Sequence, residues 1–235
     1  MSEPPVLQGK VIAVVGGASG IGRAVSKLLV QRKAKVAIAD IQQDLLAAVK
    51  AELTDAGGEL LTHQVNITDR EQTEEWLADV EKQWGGLDGA VNLAAIIPKS
   101  HNKGSVLDQT DADWDEVFAV NVRGMMNCLR AHIPHLLQRD GGGSIVNFAT
   151  SEHAVIGLTS SVAKEFGRRN IRIAAIAPPI DADPKAAQEK ENPEITALGR
   201  FVRPVEIARA VAFLLGLDSS FITGVPVSVD GGWVC

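Results

Sequence analysis

The feature that most constrains the fold is an alternation, repeated along the chain, between short runs rich in β-branched residues and longer segments with apolar residues at helical spacing. Parallel strands joined by crossover helices produce this pattern, because helices cover both faces of each strand and its apolar run is almost continuous. Seven runs fit such strands: residues 11–15, 36–39, 60–65, 90–94, 144–148, 172–177 and 225–229. The sequence therefore predicts an α/β fold with a doubly wound parallel sheet of about seven strands and helices on both faces.

The segments between these runs predict amphipathic helices. Residues 68–71 read Thr-Asp-Arg-Glu, the pattern of a capping box, and predict the start of one helix. A longer helix is predicted through Trp114, Phe118, Met125 and Leu129. No linker or repeat divides the chain, so we expect a single domain over residues 1–235.

Composition argues against several other classes of protein. A formal net charge of −6 without a basic cluster is unlike a protein that binds nucleic-acid phosphates. Two cysteines cannot form a disulfide framework, which favours a reducing compartment. No secretory signal pattern opens the chain, and its apolar runs fall far short of the ~20 residues that a membrane span needs. We expect a cytoplasmic protein that acts on a small molecule, with no nucleic-acid or membrane partner, and the histidine spacing predicts no metal site.

A glycine-rich turn follows the first predicted strand. The residues Gly16, Ser19, Gly20, Ile21 and Gly22 lie in a G-x-x-x-G-x-G pattern that leads directly into a helix pattern. Glycines let main-chain N–H groups approach a pyrophosphate, which then lies at the positive end of the helix. The alternative is a glycine-rich β–α turn that binds nothing, because this pattern alone has low specificity.

An acidic residue, Asp40, ends the second predicted strand about 20 residues after the glycine turn, where a carboxylate meets the ribose hydroxyls of a bound dinucleotide. A carboxylate there repels a 2′-phosphate, and Ser19 supplies no compensating cation. These residues favour NAD over NADP. The alternative is that Asp40 caps the next helix.

Taken in order along nearly the whole chain, these and further motifs resemble the short-chain dehydrogenase/reductase family. Besides the glycine turn, the resemblance rests on Asn92, Asn121-Val-Arg-Gly124, Gly143-Ser-Ile-Val-Asn147, Ile171-Arg172, Ala177-Pro178, Arg203-Pro-x-Glu206 and Val229-Asp-Gly-Gly232. It implies a Rossmann-like domain that binds a nicotinamide dinucleotide, acts on an alcohol or ketone, and assembles into a homo-oligomer, a dimer or a tetramer.

The resemblance also implies where the dinucleotide lies. Asn66, which replaces an aspartate of the family, and Ile67 would lie against the adenine. Asn92 and Ala94 would lie beside a ribose, and the segment from Pro178 to Ile180 near the nicotinamide amide. The implied cofactor-binding set is therefore Gly16, Ser19, Gly20, Ile21, Gly22, Asp40, Asn66, Ile67, Asn92, Ala94, Arg123, Pro178 and Ile180.

The chain departs from the family where catalysis takes place. The family uses a Tyr-x-x-x-Lys pair, in which the phenol transfers the substrate proton and the lysine lowers its pKa, together with a hydroxyl residue and an asparagine. Thr150 matches the hydroxyl residue and Asn121 the asparagine, but the chain contains no tyrosine. Ser151 and Glu152 join Thr150 directly to the next helix pattern, and Glu152 occupies the place of the lysine. The predicted catalytic set is thus Thr150 and Asn121, with the tyrosine and lysine missing.

Three explanations of this departure remain open. The chain could be a deletion product with an inactive site. It could have kept the fold for chemistry without hydride transfer, such as isomerisation or cyclisation, or serve as the partner of an active subunit. Another residue could also donate the proton, and the candidates are Thr150, Ser151 and His153, since a neutral histidine can act as a general acid near pH 7. For His153 the alternative is an ordinary position on a helix surface.

Overall fold

The computed structural model describes residues 7–98, 105–149, 152–178 and 196–233. These residues form seven strands: β1 (Val11–Val15), β2 (Lys35–Asp40), β3 (Glu59–Gln64), β4 (Gly89–Asn92), β5 (Gly143–Phe148), β6 (Ile171–Ala177) and β7 (Pro226–Ser228). The helices are α1 (Gly20–Gln31), α2 (Gln43–Asp55), α3 (Arg70–Trp84), α4 (Asp111–Phe118), α5 (Met125–Leu137), α6 (Glu152–Phe166) and α7 (Pro204–Leu215).

All seven strands lie in one parallel sheet, in the order β3-β2-β1-β4-β5-β6-β7. The chain builds outward from β1 to β3 and then returns to the other side of β1, so the order reverses between β1 and β4. This arrangement confirms the predicted doubly wound α/β fold. Ligands of such sheets bind beyond the carboxyl ends of the strands at this reversal.

Two apolar layers cover the sheet, one on each face. The first packs α1, α2 and α7 through residues such as Leu29, Leu46 and Val211. The second packs α3, α5 and α6 through residues such as Trp76 and Leu136. Because both faces are covered, the strands carry the near-continuous apolar runs that identified them in the sequence.

The predicted cap of α3 and the predicted end of β4 need correction. The capping residue of α3 is Asp69, not Thr68, because the Asp69 carboxylate accepts hydrogen bonds from the main-chain N–H groups of Glu71 and Gln72. The fourth strand ends at Asn92, two residues earlier than predicted. Residues 93–96 leave the sheet at that point and line the cavity described below.

The predicted longer helix is interrupted by a π-helical segment, Ala119–Gly124, between α4 and α5. A π turn contains more residues than an α turn, so the apolar stripe does not continue along one face. Trp114 and Phe118 were predicted on the same stripe as Met125 and Leu129, yet α4 buries none of its residues. The two rings are exposed and stack on each other with centroids 4.4 Å apart.

In the part of the chain that the structure describes, no helix is both long and apolar enough to span a bilayer. The same residues contain no group of three or more histidine, cysteine, aspartate or glutamate side chains arranged to hold a metal ion.

Candidate functional site

A cavity of about 220 Å³ opens at the carboxyl ends of β1, β2, β3 and β4, where the strand order reverses. Its walls bring together six of the thirteen predicted cofactor-binding residues, namely Gly16, Ser19, Asp40, Asn66, Ile67 and Ala94. These residues come from four separate stretches of sequence, and the parallel sheet places them side by side. The location is the one where sheets of this kind bind nucleotides.

The glycine turn is packed too tightly for side chains. Gly16 has a φ of +74°, and a Cβ on it would lie 2.7 Å from the main-chain nitrogen of Ala94. A Cβ on Gly22 would collide with the carbonyl oxygen of Gly16. The turn therefore lies directly against residues 93–94, which follow β4, on one side and against the first turn of α1 on the other.

The amino end of α1 remains open. Ser19 is its N-cap, lies exposed in an extended conformation, and makes no side-chain capping hydrogen bond. Gly20 has a φ of +47°, and no atom lies within 4 Å of the place where its Cβ would be. Since the first N–H groups of a helix have no intrahelical acceptor, this end can bind a negatively charged group such as a pyrophosphate.

Asp40 connects the glycine turn to the end of β2. Asp40 as a residue is only 7% exposed. Its Oδ2 accepts a hydrogen bond from the Ala18 N–H and its Oδ1 accepts one from the Gln42 N–H, each at 3.1 Å. The N-cap of α2 is Gln42, so Asp40 does not occupy the capping position itself. An ionised carboxylate has about four acceptor sites, so Asp40 can accept further hydrogen bonds from ribose hydroxyls.

The remaining wall of the cavity is held by Asn121. This buried side chain lies in the π-helical segment and makes two hydrogen bonds of 2.9 Å to the main chain of Ile96, accepting from its N–H and donating to its carbonyl. Both bonds fix residues 93–96 beyond the end of β4. Asn121 is therefore a positioning residue for the cavity wall.

Asn92 points away from the cavity, into the protein. It is 1% exposed, and its Nδ2 donates to Asn147 Oδ1 at 2.9 Å. The Asn147 Nδ2 in turn donates to the Thr159 hydroxyl at 3.0 Å. These two buried hydrogen bonds join β4, β5 and α6 beneath the carboxyl ends of the strands. Asn92 Oδ1 is buried and accepts no hydrogen bond from the described residues.

Several predicted site residues lie elsewhere. Arg123 is exposed and lines a separate cavity of about 550 Å³ with Phe118 and Leu158. His153 is exposed in the first turn of α6, as the surface alternative expects. Pro178 follows the end of β6. Three further predictions, Thr150, Ser151 and Ile180, lie outside the described residues.

Sequence reasoning missed the contacts that hold the site together. Gln42 anchors Asp40 through its main-chain N–H, and Gln72 Oε1 accepts from the Asn66 N–H at 2.9 Å. The first contact has a sequence signal, because an aspartate often bonds the N–H two residues later in a turn. The second has none, because a glutamine inside a helix does not reveal a bond to the preceding loop.

Comparison with known proteins identifies the family. A protein-family model described as enoyl-(acyl carrier protein) reductase matches residues 16–234. The short-chain dehydrogenase/reductase ABA4 of Pyricularia oryzae is 36% identical, over 97% of this chain and 93% of its own. The chain belongs to the short-chain dehydrogenase/reductase family. The fold agrees, since a dehydrogenase/reductase from Sinorhizobium meliloti 1021 superposes with a TM-score of 0.87 at 30% identity, over 99% of this chain and 98% of the other.

Members of the short-chain dehydrogenase/reductase family are NAD(P)-dependent oxidoreductases, and the resemblance in the motifs is thereby confirmed. The aba4 relative of Botryotinia fuckeliana is 35% identical, and its alignment covers 100% of both chains. That alignment has 262 positions against the 235 residues of this chain, which leaves about 27 positions with no residue here. This chain therefore has internal gaps relative to that protein.

Proposed function

We propose that this short-chain dehydrogenase/reductase binds NAD in preference to NADP, with the adenosine half of the dinucleotide in the cavity between Gly16 and Asn66. The observation that carries the proposal is Asp40, a buried carboxylate at the cavity wall with unused acceptor capacity. A 2′-phosphate beside it would meet like charge, and none of the described residues that line the cavity is a lysine or an arginine.

The residues present fit such a ligand. The open amino end of α1 would hold the pyrophosphate, the Asp40 carboxylate would accept from the ribose hydroxyls, and Asn121 would keep the wall at residues 93–96 in place. When bound, the nicotinamide ring supplies the hydride donor or acceptor for an alcohol or a ketone. Substrate recognition would then be completed by Thr150, which follows β5 in sequence.

In this proposal the chain lacks the tyrosine that transfers the substrate proton in the family. The chain contains no tyrosine, and only residues 149–151 separate the end of β5 from the start of α6. General acid–base catalysis is typically worth about 10²–10⁴-fold in rate. We expect any turnover of an alcohol or ketone to be slower by about that factor than with an intact pair, because only binding and proximity remain.

The lack of a tyrosine also favours a second candidate function, a non-redox or catalytically degenerate member that keeps the dinucleotide site. Such a protein could be a partner subunit of an active relative or an isomerase or cyclase. The two candidates share the cavity and differ in turnover. Steady oxidation of a secondary alcohol by the purified chain supports the first, and binding without turnover supports the second.

Binding and chemistry can be tested separately. Isothermal titration should give saturable binding of NAD and weaker binding of NADP, and NAD should raise the melting temperature by mass action. Absence of both signals at millimolar NAD refutes the proposal. Inserting a family-like loop with Tyr-x-x-x-Lys between Thr150 and His153 should create or greatly increase alcohol oxidation. The same loop with Phe in place of Tyr is the matched control, and fast turnover by the unmodified chain would contradict our account of the catalytic set.

We further propose that residues 1–235 form one domain that assembles into a dimer or tetramer in the cytoplasm. The stacked, exposed rings of Trp114 and Phe118 on α4 support assembly, because large aromatic side chains exposed together are typical of an interface. The separate cavity beside Phe118 and Leu158 extends this apolar surface.

A further inference from the structure

A third cavity, the amino-end cavity, lies at the end of the sheet opposite the candidate dinucleotide site. It has a volume of about 500 Å³. Its lining includes residues at or directly before the starts of β1, β4, β5 and β6, namely Lys10, Asp88, Gly143 and Asn170. No described residue of the predicted catalytic or cofactor-binding sets lines it. The cavity is therefore separate from the site at the carboxyl ends of the strands.

Arg139, two residues after the end of α5, brings an unused guanidinium to this cavity. Among the described residues its side chain makes no hydrogen bond, and its ion pair runs from Nη2 to Asp88 Oδ2 at 3.6 Å. Its Nε is buried without a partner, and a Cβ on Gly86 would lie 3.2 Å from that atom, so the guanidinium packs beside Gly86. A guanidinium is a planar fork of N–H donors that matches the two oxygens of a carboxylate.

Asp88 does not satisfy this guanidinium. Its Oδ1 accepts from Lys10 Nζ at 3.1 Å, and its Oδ2 accepts from the Val11 N–H at 2.9 Å. The carboxylate is thus already bonded to a second cation and to a main-chain donor. Because one carboxylate lies between the two cations Lys10 and Arg139, one positive charge remains unbalanced at this point.

A further cation of the cavity, Arg172, is used by the protein itself. Its Nη1 donates to the carbonyls of Leu214 and Ser219 at 3.0 and 2.9 Å, and its Nη2 donates to the carbonyl of Gly216 at 2.9 Å. These carbonyls lie at and after the end of α7, where a positive charge is favourable. Arg172 therefore fixes this wall, and Arg139 is left to bind a ligand.

The charges of the cavity favour an anion of low charge. Its charged lining consists of three basic residues and two acidic ones, Lys10, Arg139, Arg172, Asp88 and Asp140. The chain as a whole carries a formal net charge of −6, so this positive excess is local. A single negative charge is attracted here, whereas a polyanion would also meet the two aspartates.

The rest of the lining leaves room for an apolar group. Leu217 lines the cavity and is 78% exposed. The segment 141–143 consists of three glycines, and no atom lies within 4 Å of the place where a Cβ of Gly141 would be. An organic group attached to the anion would cover the Leu217 side chain and remove apolar surface from water.

We propose that the amino-end cavity binds a small organic carboxylate. The two carboxylate oxygens accept hydrogen bonds from the Arg139 guanidinium, and the apolar part of the ligand lies along Leu217 and the three glycines. This site is distinct from the proposed dinucleotide site and does not depend on it.

The test uses hexanoate as the probe and hexanamide as its uncharged analogue. Shifts of assigned main-chain amide signals in NMR spectra of ¹⁵N-labelled protein measure the affinity and also report where the probe binds. We expect a dissociation constant on the order of 1 mM for so small a ligand. The signals of Gly141 and Gly142 should shift, and those of Gly16 and Gly20 should not. Hexanamide should bind about tenfold more weakly or worse, because it lacks the charge.

Two variants connect the binding to the cavity. Arg139→Gln should weaken hexanoate binding by about tenfold or more, the factor that corresponds to a charge-assisted hydrogen bond. Gly141→Leu should also weaken it, because the new side chain fills the cavity and changes no charge. The matched control is Arg130→Gln, since Arg130 is exposed on α5, forms no ion pair with a described residue and lies outside the cavity lining. Melting curves without ligand establish that all three variants fold.

Each result supports or overturns the inference. It is wrong if hexanoate does not saturate the shifts up to about 10 mM, if hexanamide binds equally well, or if Arg139→Gln and Gly141→Leu leave the affinity unchanged. Binding of inorganic phosphate without binding of hexanoate would also overturn it.

The same titrations separate this inference from the proposed function. Added NAD should leave the affinity for hexanoate within about twofold, because the two cavities lie at opposite ends of the sheet. Displacement of hexanoate by NAD would show that both occupy the dinucleotide cavity and would refute the inference. Failure of NAD to bind would refute the proposed function and leave the carboxylate site standing.

Discussion

His132 on α5 makes the stability of this protein sensitive to acid. Its ring is completely buried against the edge of the Trp76 ring, with centroids 6.1 Å apart, and neither ring nitrogen has a hydrogen-bond partner among the described residues. Burial, with a smaller contribution from repulsion by His135, lowers the pKa of His132 to about 3. The ring therefore remains neutral in the folded protein at all ordinary pH values.

The direction of the pH dependence follows from this shift. In the unfolded chain a histidine takes up a proton near pH 6.5, while the folded protein resists it until about pH 3. The unfolded state then binds more protons, so the free energy of unfolding falls as the pH drops through this window. At about 1.4 kcal/mol per pH unit, His132 alone should lower that free energy by about 2 kcal/mol between pH 8 and pH 5.

The variant His132→Phe should remove this dependence, because Phe fills the same site without a titrating group. At pH 8 it should be as stable as the wild type or more stable, since two buried unpartnered nitrogens are removed. Urea unfolding at pH 8, 6.5 and 5 measures the gap between the two proteins, which should grow by about 2 kcal/mol toward pH 5. The exposed residue His153 is the matched control, and His153→Gln should keep the wild-type slope. If the free energy of unfolding changed with pH to the same extent in the wild type and in His132→Phe, the ring would not be buried and neutral.

Three other outcomes can be checked. Asp40→Ala should weaken NAD binding and bring the affinities for NAD and NADP closer together, measured by titration; an unchanged ratio would show that Asp40 only holds the glycine turn. Gly22→Ala should destabilise the chain by about 1–3 kcal/mol and abolish NAD binding, because its Cβ meets the Gly16 carbonyl. Gly157→Ala on the open surface of α6 is its control and should stabilise the chain by about 0.5–1 kcal/mol. Trp114→Ser combined with Phe118→Ser should lower the mass found by analytical ultracentrifugation while the circular dichroism stays unchanged, and an unaltered mass would place the interface elsewhere.

The fold could be predicted because the central strands of the sheet are buried on both faces. A strand such as β1 has no polar side, so its five apolar residues stand out directly in the sequence. The extent of the long helix could not be predicted in the same way. Periodicity assumes 3.6 residues per turn, and the π-helical segment Ala119–Gly124 breaks that period. Trp114 and Phe118, predicted in one helix with Met125 and Leu129, therefore lie exposed on a separate helix, α4.

The candidate site was predictable where a backbone requirement selects the residue type. Gly16 and Gly22 are glycines because a Cβ on Gly16 would meet residues 93–94 after β4, and a Cβ on Gly22 would meet the Gly16 carbonyl. The orientation of polar side chains was not predictable, because it depends on partners far away in sequence. The Asn92 amide, for example, donates to Asn147, which is 55 residues away. The position of Asn92 beside a ribose stays a prediction.

The cavity and the connection that follows β5 lie at different parts of the sheet, which supports the proposal that dinucleotide binding does not depend on the catalytic segment. The walls that would hold the adenosine half come from the ends of β1 and β2 and from the segments that follow β3 and β4, and Asn121 fixes the segment after β4 through Ile96. The catalytic segment of the family follows β5, on the other side of the strand-order reversal. Side-chain hydrogen bonds among the described residues connect the cavity side of the sheet to β5 and α6. They run from Asn92 to Asn147 and from Asn147 to Thr159, and they lie beneath the surface of the site. In the proposed function, a shorter connection after β5 would therefore leave the contacts of Gly16, Asp40 and Asn66 intact, and we expect dinucleotide binding to persist without the proton-transfer group.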